Sequence, residues 1–231
     1  MKSLIVIPAR GGSKGIPHKN IKPLAGKPLI YYTIDVARQF TTDDNICVTT
    51  DDPEIIKCVE DYGLNVPFVR PAELATDTCG SNEVIQHAYK FFADKGVKYD
   101  TVILLQPTSP FRKIEFVKGA VDLYDDSMDM VTSVAPAACN PYYDGYEEGE
   151  DGFMYVSKYI GDIKRRQDAP KVWQWNGAVY VINPKSLMEK GMGAFTKVKK
   201  YVMPEEYSVD LDTMLDWKYA EFIIKEKVLE L

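Results

Sequence analysis

Short continuous apolar runs alternate along this chain with stretches whose apolar residues fall three or four positions apart. SLIVIPA (3–9) is apolar without interruption and meets a glycine-bearing loop, the pattern of a strand buried on both faces. KPLIYYTIDVARQF (27–40) then places Leu29, Ile30, Thr33, Ile34 and Ala37 at helical spacing. NICVTTD (45–51) predicts a second buried strand, and DPEIIKCVEDYG (52–63) a helix stopped by Gly63. SNEVIQHAYKFFADKG (81–96) predicts an amphipathic helix with Ser81 as N-cap and Gly96 as its stop. TVILLQPTS (101–109) is a third buried strand, followed by a helix in FVKGAVDLYDD (116–126). DMVTSVAPA (129–137) and NGAVYVINP (176–184) predict two more strands, and TMLDWKYAEFIIKEKVLEL (213–231) a terminal helix. Strands alternating with helices imply an α/β fold: a mostly parallel sheet covered on both sides, with ligands at the carboxyl ends of its strands.

Residues 137–170 break the rhythm. An acidic stretch, DGYEEGEDG (144–152), precedes a basic one ending in KRRQDAP (164–170). Two readings are open, an exposed hairpin with solvated charges or an arm that reaches a second subunit. No repeat or low-complexity tract divides the chain, so one domain over residues 1–231 with this insertion is the expected organisation.

Charge changes the picture. The 231 residues carry a formal net charge of −6, which argues against a general nucleic-acid binder. Yet residues 1–34 hold six basic side chains and no acidic one, leaving 22 basic against 34 acidic elsewhere. A cationic patch on an acidic protein points to a local anionic ligand or, more simply, to a solvated basic surface. No apolar run approaches the roughly 20 residues that span a bilayer. Arg10 interrupts the N-terminal run and no small-residue cleavage site follows it, so no signal peptide is expected. Cys47, Cys58, Cys79 and Cys139 fit neither a C-x-x-C nor a zinc pattern and read as free thiols of a cytoplasmic protein.

The patch centres on ARGGSKGIPHKN (9–20). Glycines after a buried strand let backbone N–H groups approach an anion, and Arg10, Lys14 and Lys19 together suit a triphosphate. The loop lacks the Gly-Lys-Ser/Thr of a Walker A sequence, and Ser13 falls where a dinucleotide fingerprint needs its second glycine. Far along the chain stands SVDLDT (208–213). If extended, it puts Asp210 and Asp212 on one face and Val209 and Leu211 on the other. Two carboxylates side by side repel unless a cation lies between them, so the pair suits magnesium (Mg2+) shared with nucleotide phosphates. Alternatively, Asp212 or Thr213 caps the terminal helix. A triphosphate loop with a metal pair suggests a nucleotidyltransferase.

IPARGGSKGIPHKNI, RPAELATDT (70–78), LLQPTSPFR (104–112), RRQDAP, NGAVYV and SVDLDT occur in the order found in the acylneuraminate cytidylyltransferases, also called CMP-sialic acid synthetases, which the chain resembles over nearly its whole length. The resemblance implies a Rossmann-like fold of the nucleotide-diphospho-sugar transferase type, homodimerisation through the inserted arm, and CTP and a nonulosonic acid as substrates. Carried onto matching positions, it implies that Arg10, Ser13, Lys14 and Lys19 bind the triphosphate and that Asn20, Arg70 and Ser81 contact the nucleotide. It implies that Asp210 and Asp212 hold the metal, with Asp212 in catalysis beside Arg10, Lys14 and Lys19. It places Gln106, Tyr180 and Phe195 at the sugar and sends Arg166 across the dimer to the sugar carboxylate.

Bland alternatives accompany these assignments. Arg70 would pair with Glu73, Gln106 would cap a strand end, and Tyr180 and Phe195 would be core. His18 and His87 read as a loop and a helix-surface residue rather than catalysts. The sequence also departs from the sialic acid enzymes: Gln174 stands where they have an arginine, two residues before the Asn-Gly, flanked by Trp173 and Trp175. N-acetylneuraminic, legionaminic and related acids therefore all remain candidate substrates. A CMP-Kdo-type synthetase and a catalytically silent nucleotide-binding module are the rival readings.

Overall fold

The computed structural model describes residues 1–12, 15–76 and 78–230. Strand β1 (Ser3–Pro8) leads through the glycine loop into a short ribbon, β2 (Pro23–Leu24) with β3 (Lys27–Pro28). Then come α1 (Leu29–Phe40), β4 (Ile46–Thr49), α2 (Pro53–Asp61), α3 (Ser81–Ala93), β5 (Thr101–Leu104), α4 (Ile114–Asp122) and β6 (Met130–Pro136). A hairpin of β7 (Tyr146–Glu148) and β8 (Met154–Val156) follows. The chain finishes with β9 (Trp173–Ile182), α5 (Pro184–Glu189), β10 (Val198–Val202) and α6 (Met214–Lys225).

Six strands form the main sheet in the order β10-β6-β9-β5-β1-β4. Only β9 runs against the others, pairing antiparallel with both β5 and β6. The expected mostly parallel α/β sheet is therefore present. β1 lies inside the sheet between β5 and β4 and is buried on both faces, which is why its sequence is apolar throughout. Its alternate residues enter different cores. Ile5 and Ile7 pack with Ile34 of α1, Ile55 of α2 and Val117 of α4. Leu4 and Val6 face the other way, against Ile85 of α3 and Leu187 of α5.

A third core matters more for chemistry. Ile16 from the glycine loop, Leu24, Phe111, Leu211 and Trp217 pack together, with α6 supplying Ala220 and Ile223. This cluster binds the loop after β1 to the segment carrying Asp210 and Asp212.

Local signals account for several helix ends. Asp52 accepts the N–H of Glu54 at 2.7 Å, Pro53 opens α2, and Gly63 beyond it adopts φ +78°. Thr213 and Asp216 form a reciprocal capping box on α6, so Thr213 takes the capping role. Helix α3 corrects one expectation: Gly80 is its extended N-cap and Ser81 the first helical residue, with no side-chain cap. Beyond Pro136 the chain projects as the β7–β8 hairpin, exposing Phe153, Met154, Tyr155 and Tyr159. None of the helices among the described residues is long and apolar enough to cross a membrane. All four cysteines are free thiols.

Candidate active site

The carboxyl ends of β1 and β5 and the amino end of β9 open into two adjoining clefts. The first, about 350 Å³, is lined by Arg10, Lys19 and Asn20 on one side and by Arg70 and Ser81 on the other. Gln106, Thr108, Asp210 and Asp212 complete it. Residues separated by two hundred positions are thus brought together. Ser13 and Lys14 lie outside the described residues.

Each cation is held by a specific contact. Arg10 donates to the Thr76 carbonyl at 3.4 Å, while the buried Asn20 amide donates to the Arg10 carbonyl at 3.0 Å. Lys19 Nζ donates to the Leu211 carbonyl at 2.6 Å and lies 3.3 Å from Asp212 Oδ1. Arg70 does not pair with Glu73. It is buried and donates through Nε to Thr49 Oγ1 at 3.1 Å and through a terminal nitrogen to the Thr49 carbonyl. Burial lowers its pKa, and the nearby Asp51 carboxylate opposes that shift.

The 208–213 segment is not paired as a strand, yet it alternates as its sequence requires. Leu211 enters the third core and its N–H reaches the Thr108 carbonyl at 2.9 Å, leaving Asp210 and Asp212 to the cleft. Asp210 keeps solvent access at the cleft mouth, but the protein crowded around it desolvates its carboxylate and raises its pKa. The Thr108 hydroxyl opposes that rise, and the Asp212 charge adds to it. These are two hard oxygen donors whose charges repel, with a lysine ammonium standing against one of them. Such a pair fits Mg2+, whose remaining positions go to water and phosphate oxygens. Among the described residues no third acidic, histidine or cysteine side chain joins a metal-binding group.

Gly15 makes the loop and the acidic segment touch: a Cβ there would lie 2.1 Å from the Asp212 carbonyl oxygen. Gly177 does the same for β9. At φ +74°, it lets the chain pass where a Cβ would meet Gln106 Oε1 at 2.7 Å.

The second cleft, about 730 Å³, shares Gly80, Ser81 and Gln106 with the first. Trp175, Tyr180 and the Gly191–Ala194 turn wall it. Trp175 meets Tyr180 edge to face at 5.8 Å. Burial, with the Asp210 charge, pushes the Tyr180 phenol up to about 12, so it remains a hydrogen-bond donor. Tyr180 thus combines a core and a cleft position. Phe195 does not: it packs half-buried against the Leu4–Tyr180 cluster, and its neighbours Met192, Gly193 and Ala194 form the wall instead. Arg166 lies on the exposed arm, donating to the Ala138 carbonyl at 2.6 Å, and lines neither cleft of its own chain.

Sequence reasoning passed over Thr108 and the 191–194 turn. For Thr108 the signal was available, as QPTSP is a polar, proline-bracketed exit from a buried strand. His18 is an exposed loop residue near Glu54. His87 is half-buried and edge-on to Phe68 at 4.8 Å, not a surface residue.

Comparison with known proteins places the chain in a family. The chain is 35% identical over 227 residues to the CMP-N,N'-diacetyllegionaminic acid synthase of Legionella pneumophila, covering 97% of both. It is 32% identical over 225 residues to the pseudaminic acid cytidylyltransferase of Campylobacter jejuni, again covering 97% of both. Identity to the N-acylneuraminate cytidylyltransferase of Escherichia coli is 33% over 98% of this chain, which spans 53% of that longer relative. The fold is that of a CMP:2-keto-3-deoxy-manno-octonic acid synthetase solved with CTP: TM-score 0.69 at 18% identity, over 98% of this chain and 100% of that one. The cytidylyltransferase family model matches residues 4–144, and the chain belongs to that family.

Proposed function

We propose that the protein transfers the cytidylyl group of CTP to the anomeric hydroxyl of a nonulosonic acid, releasing pyrophosphate. The observation that carries this reading is the first cleft, where Arg10 and Lys19 face Asp210 and Asp212 beside a second, contiguous cleft that meets it at Gln106. Arg10 and Lys19, with Lys14, neutralise the triphosphate, and Arg70 and Ser81 border the nucleoside. Gln106, Tyr180 and Trp175 orient the sugar in the second cleft. The anomeric oxygen attacks the α-phosphorus in line, forming the new O–P bond as the bond to pyrophosphate breaks. Its proton passes to a carboxylate oxygen of Asp212, the more open of the pair. Charge developing on the leaving group is met by Arg10, Lys14 and Lys19. Asp210 and Asp212 would hold Mg2+, which polarises phosphate oxygens and lowers the pKa of a bound hydroxyl.

The sugar we favour is an N,N'-diacyl diamino acid of the legionaminic type. Gln174 replaces an expected cation, while Trp175, Met192 and Ala194 give the second cleft an apolar wall suited to acyl and deoxy groups. The exposed apolar arm supports a homodimer, in which Arg166 of a second copy would meet the sugar carboxylate.

Magnesium-dependent pyrophosphate release from CTP, assayed separately with legionaminate, pseudaminate, N-acetylneuraminate and Kdo, tests the reading. Release is expected with a nine-carbon acid, and fastest with legionaminate. Silence with all four acids while CTP still binds would overturn it and favour a binding module. Release with Kdo alone would move the assignment to the eight-carbon acid.

A further inference from the structure

Arg112, the last residue of QPTSPFR, is 3% exposed and has no acidic partner among the described residues. Burying an unpaired charge is expensive, and removal from water pulls this guanidinium below its usual pKa. A neutral side chain would fill the space at lower cost, so the arginine's donors explain its presence. One terminal nitrogen donates to the Ala178 carbonyl at 2.9 Å and the Gln106 carbonyl at 3.1 Å. The other also donates to Gln106, at 3.1 Å, and to Thr33 Oγ1 of α1 at 3.0 Å. Nε has no partner, so the geometry is set by the fork and not by full satisfaction of the group.

The two carbonyls belong to the two backbones that frame the second cleft. Gln106 starts the exit loop of β5 and projects between the clefts. Ala178 follows Gly177 on β9, between Trp175 and Tyr180. Gly177 leaves the Gln106 amide only the space of a missing Cβ, so a small drift of either backbone would misplace Gln106. Thr108, in the same loop, anchors Leu211.

We propose that Arg112 is a positioning residue for the sugar half of the site: a buried fork that clamps the Gln106 and Ala178 backbones so that Gln106 and β9 meet the acceptor at a fixed distance. It touches no substrate. The inference rests on the cytidylyl-transfer reading and predicts a split between the two substrates, because the CTP-facing side chains Arg10 and Arg70 are held by Thr76 and Thr49, outside the clamped loop.

The test compares wild type with Arg112→Lys, which keeps the charge and loses the fork. Steady-state KM for the accepted sugar and Kd for CTP by calorimetry are measured alongside thermal melting. In Arg112→Lys the sugar KM should rise at least about tenfold, the scale of a misplaced orienting group, with CTP Kd changing less than about twofold. An unchanged sugar KM, or equal rises in both constants, would overturn the inference. Should Arg112→Lys not fold, Thr33→Val removes only the far acceptor and should raise the sugar KM in the same sense by about two- to fivefold. No change there would overturn it as well. Absence of pyrophosphate release by wild type would overturn the cytidylyl-transfer reading and this inference with it. Wild-type release with no substrate split would overturn the inference alone.

Discussion

Lys19 spans the two sides of the first cleft, bonding to the Leu211 carbonyl and Asp212 while facing the space a triphosphate would fill. It is a latch and, in the proposed function, an anion ligand, and the two roles separate by measurement. Its ion pair involves an exposed carboxylate, worth at most about 1 kcal/mol. Lys19→Ala should therefore raise the CTP KM at least about tenfold while the melting temperature drops by no more than a few degrees. Comparable losses in both would identify a structural lysine. Asp212→Asn should leave melting unchanged and lower kcat about a hundredfold, as expected for removing a group that acts on the transition state. Near-normal turnover would sink the metal assignment. These residues were legible in sequence because loop and acidic segment each compress their chemistry into a few positions. Arg70's partner was not, since nothing local records that it folds back onto Thr49 rather than reaching Glu73, and for Phe195 the structure takes the core alternative.

At the level of elements, the third core does the joining. Ile16 and Leu211 share one cluster, and Gly15 lets the two backbones touch beside it. Gly15→Ala should force the glycine loop off the Asp212 segment, lowering kcat/KM at least about tenfold together with stability. Gly12→Ala, whose Cβ would meet nothing within 4 Å, is the melting-temperature control and should match wild type. The buried strands β1, β4 and β5 were legible from their unbroken apolar runs. β10 was not: VKKYV lies at the sheet edge largely exposed and offers no such run. Nor does any local pattern state that β9 runs backwards, because direction is decided by how the chain returns from the arm. The Ser81 cap failed for a related reason, as Gly80 could take the extended cap conformation without a side chain.

For the whole molecule, Asp129 ties distant pieces together. Its buried carboxylate accepts from Ser186 Oγ at 2.6 Å, Lys190 Nζ at 2.9 Å and the N–H groups of Thr196 and Lys197 at 3.0 Å. These bonds, Ser186 foremost and then the Lys197 amide and Lys190, hold its pKa well below the usual carboxylate range. A depressed folded-state pKa gives stability that is fully present above the unfolded value of about 3.9 and drains away as pH falls toward the folded one. Wild type should melt progressively lower below about pH 4, whereas Asp129→Asn should lose about 2–3 kcal/mol at neutral pH and show a flatter acid limb. Melting curves from acid to neutral pH decide this, and an unchanged acid slope in the variant would refute the assignment.

The neck of the arm has its own consequence. Pro136 pairs with Trp173, and the Ala137 N–H donates to the Val172 carbonyl at 3.0 Å, so the projection leaves and re-enters the sheet on neighbouring, opposed strands. To the sheet it is only an overgrown hairpin connection. Residues 138–171 could be excised and the gap spliced with a tight turn without altering strand order. Such a shortened chain should fold and bind CTP, and if the arm carries the proposed homodimer it should stay monomeric by light scattering and turn over sugar poorly. The fold thus has an interchangeable socket, whose insert can change in length and sequence while the strand order stays in place.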